Sequence, residues 1–162
     1  AMDGDGVRRA VERAAGDSRL DVAVAIPGGG NYCPVLDYED DRFGDEVIQN
    51  VRPQFLVLKY AGRAMVRGGG GSIVAISSTA SVMSSPFLAA YCAGKAAVDQ
   101  LVRVAADELG AHGVRVNAVR PGLTRTEATA GLFQPPGVGP ACPGQGVDEP
   151  ERAHIERPLA AG

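Results

Sequence analysis

Tyr91 and Lys95 stand four positions apart in the segment Tyr91-Cys92-Ala93-Gly94-Lys95. On a helix that spacing puts a phenol and an amine on one face, a turn apart. A phenol titrates near 10, so acid or base work near neutrality needs a shift of about three units, worth about 4 kcal/mol. A cation about 5 Å away supplies about 3 kcal/mol of that at an effective dielectric of about 20. The pairing is uncommon by composition, since the chain has four tyrosines and only Lys59 besides Lys95 as a lysine. Cys92, inside the same segment, reads as a packing residue.

The elements that must hold this pair follow from periodicity. Val7, Ala10, Val11 and Ala14 recur at helical spacing, which predicts an amphipathic helix closed by Gly16. Leu20 to Ile26 is a nearly continuous apolar run ended by Pro27-Gly28-Gly29-Gly30, the pattern of a strand buried on both faces of a parallel sheet. After an acidic loop over Asp37 to Asp45, the residues Val47, Ile48, Val51, Phe55, Leu58, Ala61 and Met65 predict a long helix to Arg67, with Pro53 in its first turns or kinking it. Gly68 to Gly71 end that helix; they follow a helix and precede a strand, the reverse of a phosphate-cradling turn. A second buried strand over Ser72 to Ser77 stops in Ser77-Ser78-Thr79, and the helix carrying Tyr91 and Lys95 runs from Ala89 to Leu109 with Gly110 as its stop. Val114 to Val119 is a third strand, broken by Pro121-Gly122. Alternation of this kind predicts a doubly wound α/β fold with helices on both faces of a parallel sheet. Residues 131–162, rich in glycine and proline, read as a loop-rich lid or tail with a short helix around Glu149 to Ile155.

Composition narrows the function classes. The 162 residues, 45% hydrophobic and 22% charged, suit one domain with a buried core, here 1–162. A net charge of −3 leaves no broad basic field for nucleic acid or anionic lipid. Without a run of about 20 apolar residues or a signal-like start, the expected location is cytoplasmic. Cys33, Cys92 and Cys142 are odd in number and share no metal-ligand spacing with one another or with His112 and His154, which supports neither a disulfide framework nor a metal site.

In open parallel sheets the ligand site lies beyond the carboxyl ends of the strands, here Gly28, Ser77-Ser78 and Pro121-Gly122. Those ends flank the start of the Tyr91 helix. At this point the chain resembles the short-chain dehydrogenase/reductase family, whose Tyr-x-x-x-Lys motif is matched by YCAGK. Ser78 lies thirteen positions before Tyr91, the family's spacing for its serine, and Asn50 in DEVIQNV matches the asparagine of the preceding long helix. The family's Asn-x-x-x-Pro-Gly-x-x-x-Thr appears as Asn117, Pro121, Gly122 and Thr126. The resemblance spans Val7 to Glu127, with four motifs agreeing in order and spacing.

The resemblance implies a Rossmann-like catalytic domain, incomplete at both ends, that uses NAD or NADP to interconvert a secondary alcohol and a ketone. Ser78 would hydrogen-bond the substrate oxygen, Tyr91 would exchange the proton, Lys95 would lower the phenol's pKa and bond the nicotinamide ribose, and Asn50 would hold a water leading to Lys95. Gly28, Pro121, Gly122, Leu123 and Thr126 join Tyr91 and Lys95 as cofactor contacts. It also implies a homo-oligomer, dimer or tetramer, paired through the long helix (Phe55, Ala61) and the Tyr91 helix (Ala93, Ala97, Val104). Two departures stand out. The family's Asn-Asn-Ala-Gly is here Ala25-Ile26-Pro27-Gly28, which removes polar groups that brace the sheet, and the glycine-rich pyrophosphate turn would precede residue 1. The expected lack of that turn and of the family's C-terminal strand motivates an alternative expectation, a truncated and inactive member serving as a binding or assembly module.

Overall fold

The computed structural model describes residues 3–16, 18–127 and 129. Helix α1 (Gly4–Ala15) starts at Asp3, whose carboxylate accepts from the amides of Asp5 and Gly6 at 3.0 and 2.9 Å, and it closes at Gly16, where φ is +53°. Strand β1 (Val22–Ala25) leads to helix α2 (Asp40–Arg67), then strand β2 (Gly71–Ile76), helix α3 (Ala89–Gly110) and strand β3 (Val114–Val119). Short 3-10 turns stand at Val35–Asp37 and Thr79–Ser81. The strands pair in parallel in the order β1-β2-β3, with Ala25 opposite Ala75 and Ile76 opposite Val119. This is the parallel, Rossmann-like α/β sheet that the alternation of elements predicts.

Three local expectations need correction. Helix α2 begins at Asp40, inside the segment read as an acidic loop. Asp40 and Asp41 occupy its first turn, where carboxylates favour the positive end of the helix dipole. Pro53 lies well inside this helix and is buried. Strand β1 is not buried on both faces: Val22 and Val24 are 59% and 52% exposed while Ala25 is buried. The reason is layering, because the described helices cover one face only. The core joins Leu58, Ala61 and Met65 of α2 and Val98, Val102 and Ala105 of α3 to Ile73, Ala75, Val114 and Val116 of the sheet. Finally, Cys33 is disulfide-bonded, which neither cysteine count nor spacing signalled, whereas Cys92 is a free thiol.

The connection from α2 to β2 shows why glycine is required there. Gly69 and Gly70 take φ of +84° and +132°, and a Cβ on Gly70 would lie 2.8 Å from the Gly113 carbonyl oxygen. Gly68 to Gly71 therefore end one helix and start one strand, as read from their position. The loop-rich segment 131–162, with its expected lid and short helix, lies outside the described residues.

Candidate active site

Parallel pairing brings the carboxyl ends of all three strands to one edge, and α3 begins beside them. Past the end of β2, the amide of Ser77 donates to Val119 O at 2.8 Å and that of Thr79 to Pro121 O at 3.0 Å, so Ser78 is held extended between two rungs tied to the end of β3. Its Oγ accepts from the Ala80 amide at 3.2 Å, capping the turn Thr79–Ser81. Capping uses an acceptor lone pair and leaves the hydroxyl proton available.

Tyr91 and Lys95 occupy one face of α3, with the Lys95 ammonium 5.6 Å from the centre of the phenol ring. Lys95 is 3% exposed and its Nζ donates to Ile76 O, the last carbonyl of β2, at 2.9 Å. Burial pushes its pKa down, and the nearby Asp99 carboxylate opposes that shift. Asn50 is fully buried on α2: its Nδ2 donates to Gly29 O (2.8 Å) and Glu46 O (3.0 Å), and its Oδ1 accepts from the Gly29 amide (3.2 Å). Gly28, at φ +142°, lets these groups converge, since a Cβ there would lie 2.7 Å from both Asn50 Oδ1 and Lys95 Nζ. Gly30 does the same for Tyr91, whose Cβ would lie 2.7 Å from an added methyl.

The structure thus brings together Gly28, Asn50, Tyr91 and Lys95, with Ser78 at the adjoining strand end. Pro121 reaches this group through its carbonyl, but the segment beyond it is exposed. Leu123 projects into solvent, and Thr126 is turned toward Thr129, with their hydroxyls 3.0 Å apart. No described contact joins Gly122, Leu123 or Thr126 to Tyr91 or Lys95.

Several supporting residues are invisible in the motifs. Gln54, fully buried one turn beyond Asn50, donates through Nε2 to Pro27 O (2.9 Å) and Ile76 O (3.4 Å). It ties the ends of β1 and β2 together, a brace supplied from α2 where Ala25-Ile26-Pro27-Gly28 carries no polar side chain. Glu46, one turn before Asn50, accepts from the Asn31 amide (2.8 Å), Asn31 Nδ2 (3.2 Å) and the Tyr38 hydroxyl (3.4 Å), fixing the loop after β1. The spacing Glu46, Asn50, Gln54 marks one helix face and could have singled them out.

Residues 2–136 match the family model described as short chain dehydrogenase. The chain belongs to the short chain dehydrogenase family. It is 42% identical over 117 residues to the A-factor type gamma-butyrolactone 1'-reductase (1S-forming) of Streptomyces virginiae, covering 71% of this chain and 46% of that reductase. A short-chain type dehydrogenase/reductase from Mycobacterium ulcerans superposes with a TM-score of 0.77 at 43% identity, covering 81% of this chain and 48% of that one. The NAD+-bound structure of a xylitol dehydrogenase matches with a TM-score of 0.70 at 34% identity, over 75% of this chain and 47% of that one. The chain spans about half the length of the curated relatives it matches. Among the described residues, no helix is long and apolar enough to cross a membrane.

Proposed function

We propose that the whole protein is an NAD(P)-dependent oxidoreductase that interconverts a secondary alcohol and a ketone on a small molecule. The observation that carries this reading is a buried ammonium, Lys95, set 5.6 Å from the ring centre of Tyr91 at the carboxyl edge of the sheet. That placement sets a fixed positive charge beside the phenol ring. Tyr91 then exchanges a proton with the substrate oxygen, and the Ser78 hydroxyl donates to that oxygen. Asn50 holds the Gly28–Gly29 turn against α2 and so keeps the floor of the site in place.

The residues fit the nicotinamide half of the cofactor. An ammonium carries three donors and Lys95 commits one to Ile76 O, leaving two for a ribose diol. When bound, the nicotinamide takes or gives the hydride. The NAD+-bound xylitol dehydrogenase and the Streptomyces reductase support this assignment by likeness. We expect full-length protein to bind NADH or NADPH with micromolar affinity in isothermal titration and to turn over members of a secondary-alcohol panel with the matching coenzyme. Folded protein that binds neither coenzyme would instead support the binding-module alternative.

A homo-oligomer and a cytoplasmic location belong to the same reading. A groove of about 540 Å³ between α2 and α3 is lined by Phe55, Leu58, Leu101, Val104 and Leu109. Phe55, Val104, Ala93 and Ala97 are exposed along these helices, as expected for a pairing surface. Ala61 is not part of that surface, being fully buried in the core. Apolar exposure on this scale favours self-association about a two-fold axis. Sedimentation of the full-length protein at micromolar concentration should show a dimer or tetramer, and an exclusively monomeric species would refute the pairing.

A further inference from the structure

Asp99 lies one turn beyond Lys95 on the same face of α3, and these two are the charged residues that helix buries, at 4% and 3% exposure. Each loses hydration, so each needs compensation from the other or from a third group. The two oxygens of Asp99 have different surroundings. Oδ2 accepts from Arg120 Nε at 2.7 Å, the residue that leaves β3 just before Pro121. Oδ1 is buried without a hydrogen bond. The Ser77 and Ser81 hydroxyls lie beside this carboxylate, and their protons can serve either it or the carbonyls of Lys95 (3.3 Å) and Ser78 (2.7 Å).

We infer that Asp99 is a positioning residue of the Tyr91–Lys95 site: its carboxylate is the buried counter-charge that keeps Lys95 an ammonium, and Arg120 moderates how much of that charge Lys95 feels. The inference rests on the reading of Tyr91 and Lys95 as the proton-exchanging pair. The groups around the ammonium leave little else for this task. Tyr91 and Asp99 face it from α3. Helix α2 offers neutral Asn50 and also Glu46, whose carboxylate is taken up by Asn31 and Tyr38. Arg120, at the end of β3, is held on the far side of Asp99 by its 2.7 Å contact with Oδ2, and the ends of β1 and β2 offer Gly28 and the Ile76 carbonyl. Burial lowers the Lys95 pKa and Asp99 pulls it back up. Burial also raises the Asp99 pKa, but Ser81, Ser77 and Arg120 together reverse that and hold the carboxyl below its usual range, so the counter-charge persists where the lysine needs it.

The test is pulse labelling of full-length protein, free of coenzyme, with acetic anhydride across a pH series, read at the peptides carrying Lys95 and Lys59. Lys59, on the far helix, is the internal reference. Asp99→Asn should move the Lys95 labelling midpoint down by about one pH unit or more, which is a rise of about tenfold in labelling rate below the midpoint. Arg120→Gln should move it up, because it frees the Asp99 charge. Asp99→Glu should restore most of the parent midpoint, and Lys59 should not move in any variant. Opposite signs are the signature, since simple loosening of the site would carry Lys95 toward an exposed lysine, upward, in both variants. An unchanged or raised midpoint in folded Asp99→Asn overturns the inference, and if that variant does not fold, an unraised midpoint in Arg120→Gln does so. Failure here leaves a Tyr91-dependent turnover intact, whereas loss of the Tyr91 assignment leaves these labelling shifts in place, so the two failures are separable.

Discussion

Tyr91→Phe in the full-length protein is expected to lower kcat for carbonyl reduction by about 10²- to 10⁴-fold, the contribution of a well-placed proton donor. The change removes one hydroxyl and keeps the ring. The contact of that ring with Gly30, where an added Cβ would meet Tyr91 Cβ, Cγ and Cδ2 at 2.7, 2.9 and 3.1 Å, is therefore preserved. Coenzyme affinity should stay close to that of the parent, because Lys95 retains its bond to Ile76 O and its remaining donors. Steady-state kinetics with titration of NADH and NADPH separate the two effects. Undiminished turnover would remove Tyr91 from its role, and lost coenzyme binding with unchanged turnover per bound complex would reassign it to binding.

Ile73→Ala should cost about 2–5 kcal/mol of folding stability, the range for removing a large aliphatic side chain from a packed core. Ile73 is fully buried on the middle strand, paired with Ala23 on one side and Val116 on the other, beneath the helix residues Met65 and Val98. Both helices that carry the site pack onto this strand layer, so the cavity cannot close without shifting one of them. Against a total stability of about 5–15 kcal/mol, the loss is a large share. Urea denaturation of the full-length protein should show a lower midpoint at unchanged slope, and a loss below about 1 kcal/mol would contradict the packing argument.

What the sequence by itself determined is whatever depends on neighbours a few residues apart. The third strand occupies the residues its apolar pattern marks, Val114–Val119, and the helix from Ala89 puts Tyr91 and Lys95 on one face because a four-residue step is close to one helical turn. The glycines after α2 and the alternation of helices and strands belong to the same class of local signal. The tertiary structure alone decided what depends on partners brought together by the parallel crossovers. Burial of β1 on one face reflects which side the helices cover, a matter of packing that an apolar run cannot express. Gln54 reaches carbonyls 27 and 22 positions away, Glu46 holds an amide 15 positions away, and Asp99 meets Arg120 across 21 positions. The spacing of Glu46, Asn50 and Gln54 marks a shared helix face, but a hydrogen bond is specific in distance and angle, so what each of them binds became legible only once the sheet had set the strand ends side by side.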